Sequence, residues 1–505
     1  DNIVGTEDTN GGQGGGVYAQ NGSQVGYSDF INCTIANNTI RGTNSNGGGF
    51  IRQNGDYRFT NTIIWHNQAI SNPNIGGSYD HVTSNIGGDG TTLDTDPLFV
   101  DMHGGDYRLS DYSPSIGTGT LEGAPTIDID GNIRPQPDDT NPDMGVYENA
   151  LGERLVGATY YVSTAGSDSS NGLLTSPFNT IQRGVDAAWN GDTVIVYPGT
   201  YAGNVDYGDK SIVLASRILE SGDTTYVDST IIEGIVTIGN AVDSTALFSG
   251  FTITGTYDSR GLNVHSDLNV LIEHIKVIGV GGVYVYHATV TLHDVVVKHN
   301  TYNTNGGGMH IVNSTVELVD AVIDSNTSTS SYGGGVYIQQ STVTMDSVQI
   351  MNNASGNEGG GIYSYSNSTV SISNGSINFN STPYIGGGIT NTEGCTLILT
   401  NVHVDGNSAS YGGGLYNTGH YKATISSFDS NTANTHGGGI YSVSGNQNDI
   451  ADTLYQCIIN NNQTFGNGGG IFLENNQTLH AVNTLVSDNI VGTEDTNGGQ
   501  GGGVY

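Results

Sequence analysis

The sequence is dominated by a short element of three glycines, an apolar residue and usually an aromatic residue, which recurs at nearly regular spacing. Copies in the second part of the chain, 25 to 33 residues apart, begin at Gly306, Gly333, Gly359, Gly386, Gly412, Gly437, Gly468 and Gly501. Two earlier copies begin at Gly14 and Gly47. A period of this length is typical of a solenoid, in which each repeat buries its apolar face only by stacking on its neighbours.

Each period contains three short segments in which apolar and polar residues alternate, such as VYIQ at 336–339 and STVTMDSVQI at 341–350. Alternation of this kind predicts half-buried strands. No helical pattern separates the strands, which argues against βαβ units and leucine-rich repeats. We therefore predict an all-β fold, a right-handed parallel β-helix with three short strands in each coil of about 26 residues.

One asparagine lies five to seven residues before each triplet of the central repeats. Equivalent side chains in stacked coils are about 4.8 Å apart. Asparagines at that spacing can bond amide to amide in a column, which satisfies polar groups at a corner that faces the core. The predicted ladder consists of Asn300, Asn326, Asn353, Asn380, Asn407, Asn431 and Asn462.

The aromatic residue after the triplet is most often tyrosine. The preceding Val, Ile or Leu has the character of a core residue, so strand alternation predicts that the tyrosine faces outward. A column of such rings is a candidate surface for contact with sugar rings, and the alternative is packing between coils. The candidate contact residues are Tyr337, Tyr363, Tyr416 and Tyr441.

Charged residues are few and one-sided, with 48 acidic and 13 basic side chains and a net charge of −35. This charge repels nucleic acids and anionic membranes and attracts cations, among which Ca²⁺ prefers oxygen ligands. Solubility is the alternative explanation.

No apolar run is long enough to insert into a membrane. Cys33, Cys395 and Cys457 lack metal-ligand spacing and are predicted to be small buried side chains.

Residues 1–18 and 488–505 are identical, with an offset of 487 residues. The diverged coils between them share only a pattern of residue types, so this identity has a different origin. It indicates either a tandem array with a 487-residue unit or one window of a periodic polymer. An artificial duplication is the alternative.

Two internal segments carry motifs outside the glycine repeats. The segment 94–148 resembles the closing segment of many secreted bacterial β-helix proteins, and 159–203 resembles their opening segment. The triplet coils resemble repeats of polymorphic outer-membrane proteins, and the broad relative is the pectin-lyase-like right-handed parallel β-helix superfamily. The residues that carry these resemblances are Asp96–Asp101, Asp128–Pro135, Asp143–Glu148, Tyr160–Ser163, Gly166–Asp168, Ser176–Gln182 and Gly191–Tyr201.

Because the closing segment precedes the opening segment, the chain is predicted to contain the end of one β-helix unit followed by the beginning of the next. Residues 1–150 would form the last coils and closing segment of one β-helix, 151–158 a linker, and 159–505 the cap and coils of the next. A short helix near 180–188 would cover the open first coil and protect its strand edges.

The superfamily resemblance implies a fold more firmly than an activity. Lyases of this superfamily use a basic side chain beside acidic Ca²⁺ ligands. Here Lys298 is the best candidate base, near His287, His293, Asp294 and His299, with His310 and Asp320 on adjacent positions. Solvated side chains on an outward face are the alternative.

The closing segment holds the other acidic candidates. Asp138 and Asp139 form the only Asp-Asp pair, which is the residue type of a glycosidase site. Asp128, Asp130 and Asp143 are candidates for Ca²⁺ binding or, with Arg134, for capping the solenoid.

We predict an extracellular or cell-surface structural protein, in which tandem β-helix units form a stalk, surface layer or filament and stack head to tail on copies of themselves. Contact with polysaccharide is a further candidate property, and nucleic acid is not an expected partner. A polysaccharide lyase or glycoside hydrolase and a non-catalytic carbohydrate-binding module are the alternatives. The sequence does not decide whether the chain is an enzyme.

Overall fold

The computed structural model describes residues 3–4, 13–20, 27–41, 44–88, 90, 92–102, 104–239, 245–255, 259–265, 270–443, 451–475, 477–492 and 500–505. Within these residues the chain is a parallel β-solenoid of about 16 turns with three short helices, which confirms the predicted fold class. It divides into two compact units, Asp1–Val194 and Ile195–Tyr505. The predicted linker at 151–158 lies inside the first of them.

Two faces of the second unit belong to one continuous parallel sheet, to which most coils contribute two strands. Its strands are Gly199–Ala202, Val213–Ser216, Thr230–Glu233, Leu247–Thr254, Val270–Ile278, Thr289–Lys298, Thr315–Val319, Val322–Asp324, Thr342–Asp346, Gln349–Met351, Thr369–Ser373, Ser376–Asn378, Thr396–Thr400, His403–Asp405, His420–Thr424, Ser427–Asp429, Asp452–Tyr455, Ile458–Asn460, Leu479–Val482 and Leu485–Ser487.

The third face is a parallel sheet that includes the strands that follow the glycine triplets of the central repeats. It consists of Val205–Asp206, Val236–Ile238, Leu262–Val264, Val283–Tyr286, Met309–Val312, Val336–Gln339, Ile362–Tyr365, Ile389–Asn391, Leu415–Asn417, Ile440–Val443 and Ile471–Glu474. Short strands before the triplets complete the coils, at Thr301–Tyr302, Thr327–Ser328, Ala354–Ser355, Ser408–Tyr411, Thr432–His436, Gln463–Thr464 and Ile490–Val491.

Equivalent residues of successive coils lie directly over one another. Val336, for example, pairs with Met309 of the preceding coil and with Ile362 of the following coil. All three side chains are fully buried. The core is therefore a set of apolar columns, in which each coil covers the apolar side chains of the coils next to it.

The chain turns between the two strands of the long sheet at residues in the left-handed region, with φ near +50°. These corner residues are His274, Asp294, Asp320, Ser347, Asn374, Asn401, Ile425, Gln456 and Asn483. Asn, Asp and His adopt this conformation more readily than bulkier residues, which explains much of the composition of the corners.

The first unit contains shorter parallel sheets of the same kind. Their strands are Ile3–Val4, Val17–Gln20, Tyr27–Ile31, Thr34–Ala36, Thr39–Ile40, Phe50–Asn54, Asp56–Thr60, Thr62–Trp65, Ile75–Gly76, Asp80–His81 and Ser84–Ile86. Thr159–Val162 and Thr193–Val196 are instead the first two strands of the long sheet. An antiparallel pair, Phe99–Asp101 with Asp106–Leu109, lies in the segment that resembles the end of a β-helix.

The predicted capping helix is Ile181–Ala187. The Thr180 side chain accepts a hydrogen bond from the Arg183 N–H and so caps its first turn. Gly184 lets the helix approach the core closely, because a Cβ there would lie 2.8 Å from Cγ1 of Val194. The other helices are Ile218–Ser221 and Tyr226–Ser229.

No helix among the described residues is long and apolar enough to cross a bilayer. The three cysteines are unpaired: Cys395 and Cys457 are buried, and Cys33 is half-buried. Burial raises the pKa of the Cys33 and Cys457 thiols, which keeps both in the protonated form.

Candidate functional site

The predicted asparagine column forms a continuous buried hydrogen-bonded ladder. The Asn353 side-chain Nδ2 donates to Oδ1 of Asn380 at 3.0 Å and to the Ile323 carbonyl at 2.8 Å. Its Oδ1 accepts from both the backbone N–H and Nδ2 of Asn326 at 2.9 Å. The pattern repeats along the predicted column, whose members are all fully buried, and extends to Asn489. Each amide thus joins two coils and closes a corner of the core.

The glycine triplets bring successive coils into backbone contact. The Gly334 N–H donates to the Gly359 carbonyl, and the Gly360 N–H donates to the Gly386 carbonyl, each at 3.0 Å. A Cβ at Gly360 would lie 2.4 Å from the Gly387 oxygen, so no side chain fits between the coils. The triplets therefore form a column in which each coil donates N–H groups to the next.

The duplicated segment uses opposite edges in its two occurrences. In the first, the N–H groups of Gly15 and Gly16 donate to Gly47 and Gly48 at 3.1 and 3.0 Å. In the second, the carbonyls of Gly502 and Gly503, which are the same sequence positions, accept from the N–H groups of Gly470 and Ile471 at 3.1 and 2.8 Å.

A second strand of the duplicate behaves in the same way. Ile3 pairs with Thr39 of a later coil, whereas the identical Ile490 pairs with Gln463 of an earlier coil. Residues 1–2, 5–12 and 493–499 lie outside the described residues. The first copy thus pairs with a coil that follows it, and the identical second copy pairs with a coil that precedes it.

The tyrosines after the triplets form an aromatic column on the outer side of the third sheet, alternating with core residues as predicted. Tyr337 stacks on Tyr363 with 5.6 Å between ring centroids, and Tyr416 stacks on Tyr441 at 5.0 Å. Tyr337, Tyr363 and Tyr441 are nonetheless only 5–7% exposed, and Tyr416 is half-buried. Burial raises the pKa of Tyr337 to about 12.

Neighbouring rings therefore occupy the ring faces that would stack on a sugar. Thr390 separates Tyr363 from Tyr416 in this column. Tyr286 and Tyr365, which are 38% and 45% exposed on the same sheet, offer more accessible rings. Contact of the aromatic column with glycans stays a prediction.

The structure divides the residues considered for a lyase among separate corners. His287 contacts Asn313 at one corner, with 3.2 Å between the ring Nε2 and the amide Nδ2. His293 and Asp294 lie at a second corner. Lys298 and His299 end the same strand at a third corner, where Lys298 is aligned with Asp324.

Two further residues of this set have other partners. His310 lies 3.3 Å from the Arg260 guanidinium, and burial together with that charge lowers the pKa of His310 to about 3. Asp320 lies 3.6 Å from Nε2 of His293. These candidate residues therefore do not form one site around Lys298, because the successive strands of each coil lie on different faces of the solenoid.

The acidic residues of the closing segment face hydrogen-bond donors. The Asp128 carboxylate accepts the backbone N–H groups of Asp130, Asn132 and Glu148 at 2.8–3.0 Å. The Asp143 carboxylate accepts those of Gly117 and Asn149 at 2.8 and 2.6 Å. These contacts occupy the oxygens that a calcium ion would use.

Charge in this segment is compensated internally. Arg134 and Glu148 form a buried ion pair at 2.7 Å. Burial, together with the nearby Glu148, raises the pKa of Asp143 to about 7. Asp130, Asp138 and Asp139 are exposed. The arrangement favours the capping role of this segment over a catalytic pair.

We expect Glu148→Gln to lower the free energy of unfolding of the first unit by about 2 kcal/mol, because the buried Arg134 loses its charged partner. Urea denaturation followed by circular dichroism measures the change. Glu153→Gln is the control, since Glu153 is exposed in the same region. Equal stabilities of the two variants would contradict a structural role for the ion pair.

Segments 94–148 and 159–203, which resemble the end and the beginning of a β-helix, contact each other at a buried charge cluster within the first unit. Asp96, from the closing segment, contacts Arg183 of the capping helix, and His66 Nε2 lies 3.2 Å from its carboxylate. Burial alone would raise the pKa of Asp96, but the charge of Arg183 and the hydrogen bonds from His66 and the Leu98 N–H outweigh it and lower this pKa to about 2. Motif residues that are distant in sequence thus join the closing segment to the capping helix.

No protein-family model matches this chain, and no curated protein sequence matches it. Pectate lyase Pel9A is a similar solved structure, with 15% identity, a TM-score of 0.32, and 66% of this chain and 79% of that chain covered. A rhamnogalacturonan lyase has 14% identity, a TM-score of 0.24, and 66% and 90% covered. The A-module of the Azotobacter vinelandii mannuronan C-5 epimerase AlgE4 has 11% identity, a TM-score of 0.27, and 65% and 98% covered.

At such TM-scores these likenesses carry no argument about activity. The parallel β-helix architecture rests on the coil-on-coil pairing of the chain itself.

Proposed function

We propose that this chain is a structural protein of the cell surface or extracellular space, in which β-helix units continue into one another through the repeated segment. The observation that carries the proposal is the pairing of one 18-residue sequence on opposite edges in its two occurrences. Its extracellular location rests on the resemblance of its motifs to those of secreted bacterial β-helix proteins.

The stacking geometry supports this continuation. The coil at Gly47 stacks on the coil at Gly14 through the N–H groups of the triplet. The identical coil at Gly501 has no corresponding acceptor coil among the described residues. If the sequence that follows residue 18 also followed residue 505, the coil at Gly47 would stack on Gly501 in the same way.

A continued chain would have both ends of its solenoid closed. Residues 159–505 begin with the capping helix Ile181–Ala187, and residues 19–150 end with the buried ion pair of the closing segment. Joined in that order, they form one uninterrupted solenoid with protected ends, which avoids open strand edges. Repetition of such units suits a stalk, surface layer or filament.

This structural role is favoured over the enzyme alternatives. The residues considered for a lyase lie at different corners, and Asp138 and Asp139 are exposed in a Pro-rich loop. It is also favoured over a carbohydrate-binding module that uses the aromatic column, because those ring faces are occupied by neighbouring rings.

A permuted chain tests the proposal. We expect a chain of residues 159–505 followed directly by 19–150 to unfold in one cooperative transition, with a Tm at least about 5 °C above that of the 1–505 chain. The gain comes from burying Leu485, Ile490 and Val504, which are 51–55% exposed at the uncovered coil. It exceeds the loss of the ion pair between Asp96 and Arg183, whose segments are no longer adjacent in the permuted order. Thermal denaturation followed by circular dichroism measures it.

One substitution serves as a matched control in both chains. In the 1–505 chain, a Cβ at Gly502 would have one contact among the described residues, with the Asn489 oxygen at 3.0 Å. At the identical position Gly15, which carries a stacked coil, a Cβ would lie 2.4 Å from the Gly48 oxygen. Gly502→Ala should therefore have little effect on the 1–505 chain and should abolish the gain in the permuted chain. A permuted chain that is no more stable than the original would reject the proposal.

A further inference from the structure

An outer corner of the second unit gathers polar side chains from two successive coils. The strands Val270–Ile278 and Thr289–Lys298 each pass through a corner residue in the left-handed region, His274 with φ 51° and Asp294 with φ 50°. Such a residue interrupts the strand alternation, so two successive side chains face away from the core. Glu273 and His274 are accordingly both half-buried, as are His293 and Asp294.

The register of the sheet then superposes three potential metal ligands. Glu273 pairs directly with His293, and His274 is the next residue along its strand. One carboxylate oxygen and one ring nitrogen from each histidine lie within 4.8 Å of one another. Ligands around a tetrahedral zinc ion are about 3.4 Å apart, so rotation of these half-exposed side chains is enough to close the site.

The surrounding groups orient these ligands. Asp294 Oδ2 lies 2.7 Å from Nδ1 of His274, which leaves the Nε2 lone pair of that ring for a metal ion. The Ser249 hydroxyl donates to Oε1 of Glu273 at 3.3 Å. Asp320 of the next coil lies near the ring of His293, as described above. Carboxylates behind metal-binding histidines are the usual outer partners of zinc sites.

We propose that Glu273, His274 and His293 bind one zinc ion or a similar divalent transition-metal ion, with the fourth position open to water or an oxygen ligand. Two imidazoles and one carboxylate match the preferences of zinc, whereas calcium prefers an all-oxygen set. The ion would link two successive coils at an outer corner. The site is independent of the stacking function and of the acidic residues in the closing segment.

Calorimetric titration of the metal-free 1–505 chain with ZnCl₂ tests the site. The titration is done with excess Ca²⁺ and at physiological ionic strength. These conditions suppress non-specific binding of zinc to the acidic surface, so that the heat reports zinc-selective sites. We expect one zinc ion to bind per chain, and cobalt substituted for zinc to give the visible absorption of a tetrahedral site. Absence of selective binding by the unaltered chain would overturn the proposal.

The variants separate the ligands from their outer partners. His274→Asn, which preserves a residue tolerant of positive φ, and His293→Gln should each weaken binding at least about 100-fold, and Asp294→Asn about 10- to 100-fold. His480→Gln is the control, since His480 is exposed on a distant strand. Thermal denaturation without metal confirms that the variants fold. Variants that fold and bind zinc as tightly as the unaltered chain would also overturn the proposal.

Discussion

Replacing Gly360 by alanine is expected to lower the free energy of unfolding of the second unit by about 3 kcal/mol, because the added methyl group prevents two coils from stacking closely. The Cβ would lie 2.4 Å from the Gly387 oxygen and 2.6 Å from the Ser381 nitrogen. Both are backbone atoms of the next coil, so no side-chain rotation relieves the contact. Urea denaturation followed by circular dichroism measures the loss.

Gly502→Ala is the matched control for this prediction. Gly502 is also the middle glycine of a triplet, but within the part of the chain that the structure describes a Cβ there would have a single neighbour within 4 Å, at 3.0 Å. The two substitutions therefore change the same residue at the same position of the coil, with and without a stacked neighbour. We expect the control to lose less than about 1 kcal/mol. Similar losses in both variants would mean that the triplets serve a purpose other than close stacking.

The features that the sequence predicts well are those that repeat in every coil. The glycine triplets and the asparagines before them require the same backbone geometry each time, so their spacing alone indicates stacked coils. Asn489 escapes that pattern because its triplet at Gly501 follows at twice the usual distance. The structure nevertheless places it at the end of the ladder, bonded to Asn462.

Features that depend on a single coil were not predictable in this way. The coils that carry His274 and Asp294 are 20 residues apart, and no glycine triplet marks their register. Proximity in sequence therefore groups His293 and Asp294 with Lys298 and gives no indication of Glu273 or His274. A residue of positive φ in mid-strand brings these side chains to one edge, and only the pairing register reveals it.

The burial of the tyrosines shows a related limit. Alternation places Tyr337 and Tyr363 on the outer side of the sheet, opposite the core, as expected. Their exposure is low because they stack on each other and because the ring of Tyr332, from the segment before a triplet, packs 4.7 Å from Tyr363. Periodicity thus predicts the side of a strand, whereas coverage by neighbouring segments decides what a ligand can reach.

Replacing Asn353 by alanine is expected to lower the free energy of unfolding by about 4 kcal/mol, because four buried polar partners lose a hydrogen bond at once. The Asn326 backbone N–H and side-chain amide lose their acceptor, and the Ile323 carbonyl loses the amide donor. Asn380 Oδ1 loses one of its two donors and keeps the Asn353 backbone N–H. All lie where water cannot replace them. Urea denaturation followed by circular dichroism measures the loss.

Two comparisons make the Asn353 result specific to the ladder. Asn489→Ala should cost about half as much, since Asn489 is half-buried and has a ladder neighbour on one side among the described residues. Gln349→Ala, an exposed amide on the neighbouring strand, should change stability by less than about 0.5 kcal/mol. Because each internal amide joins two coils while the end amide joins one, the cost should fall toward the end of the column. Equal costs for Asn353 and Asn489 would show that the amides act singly and that the ladder contributes no stability between coils.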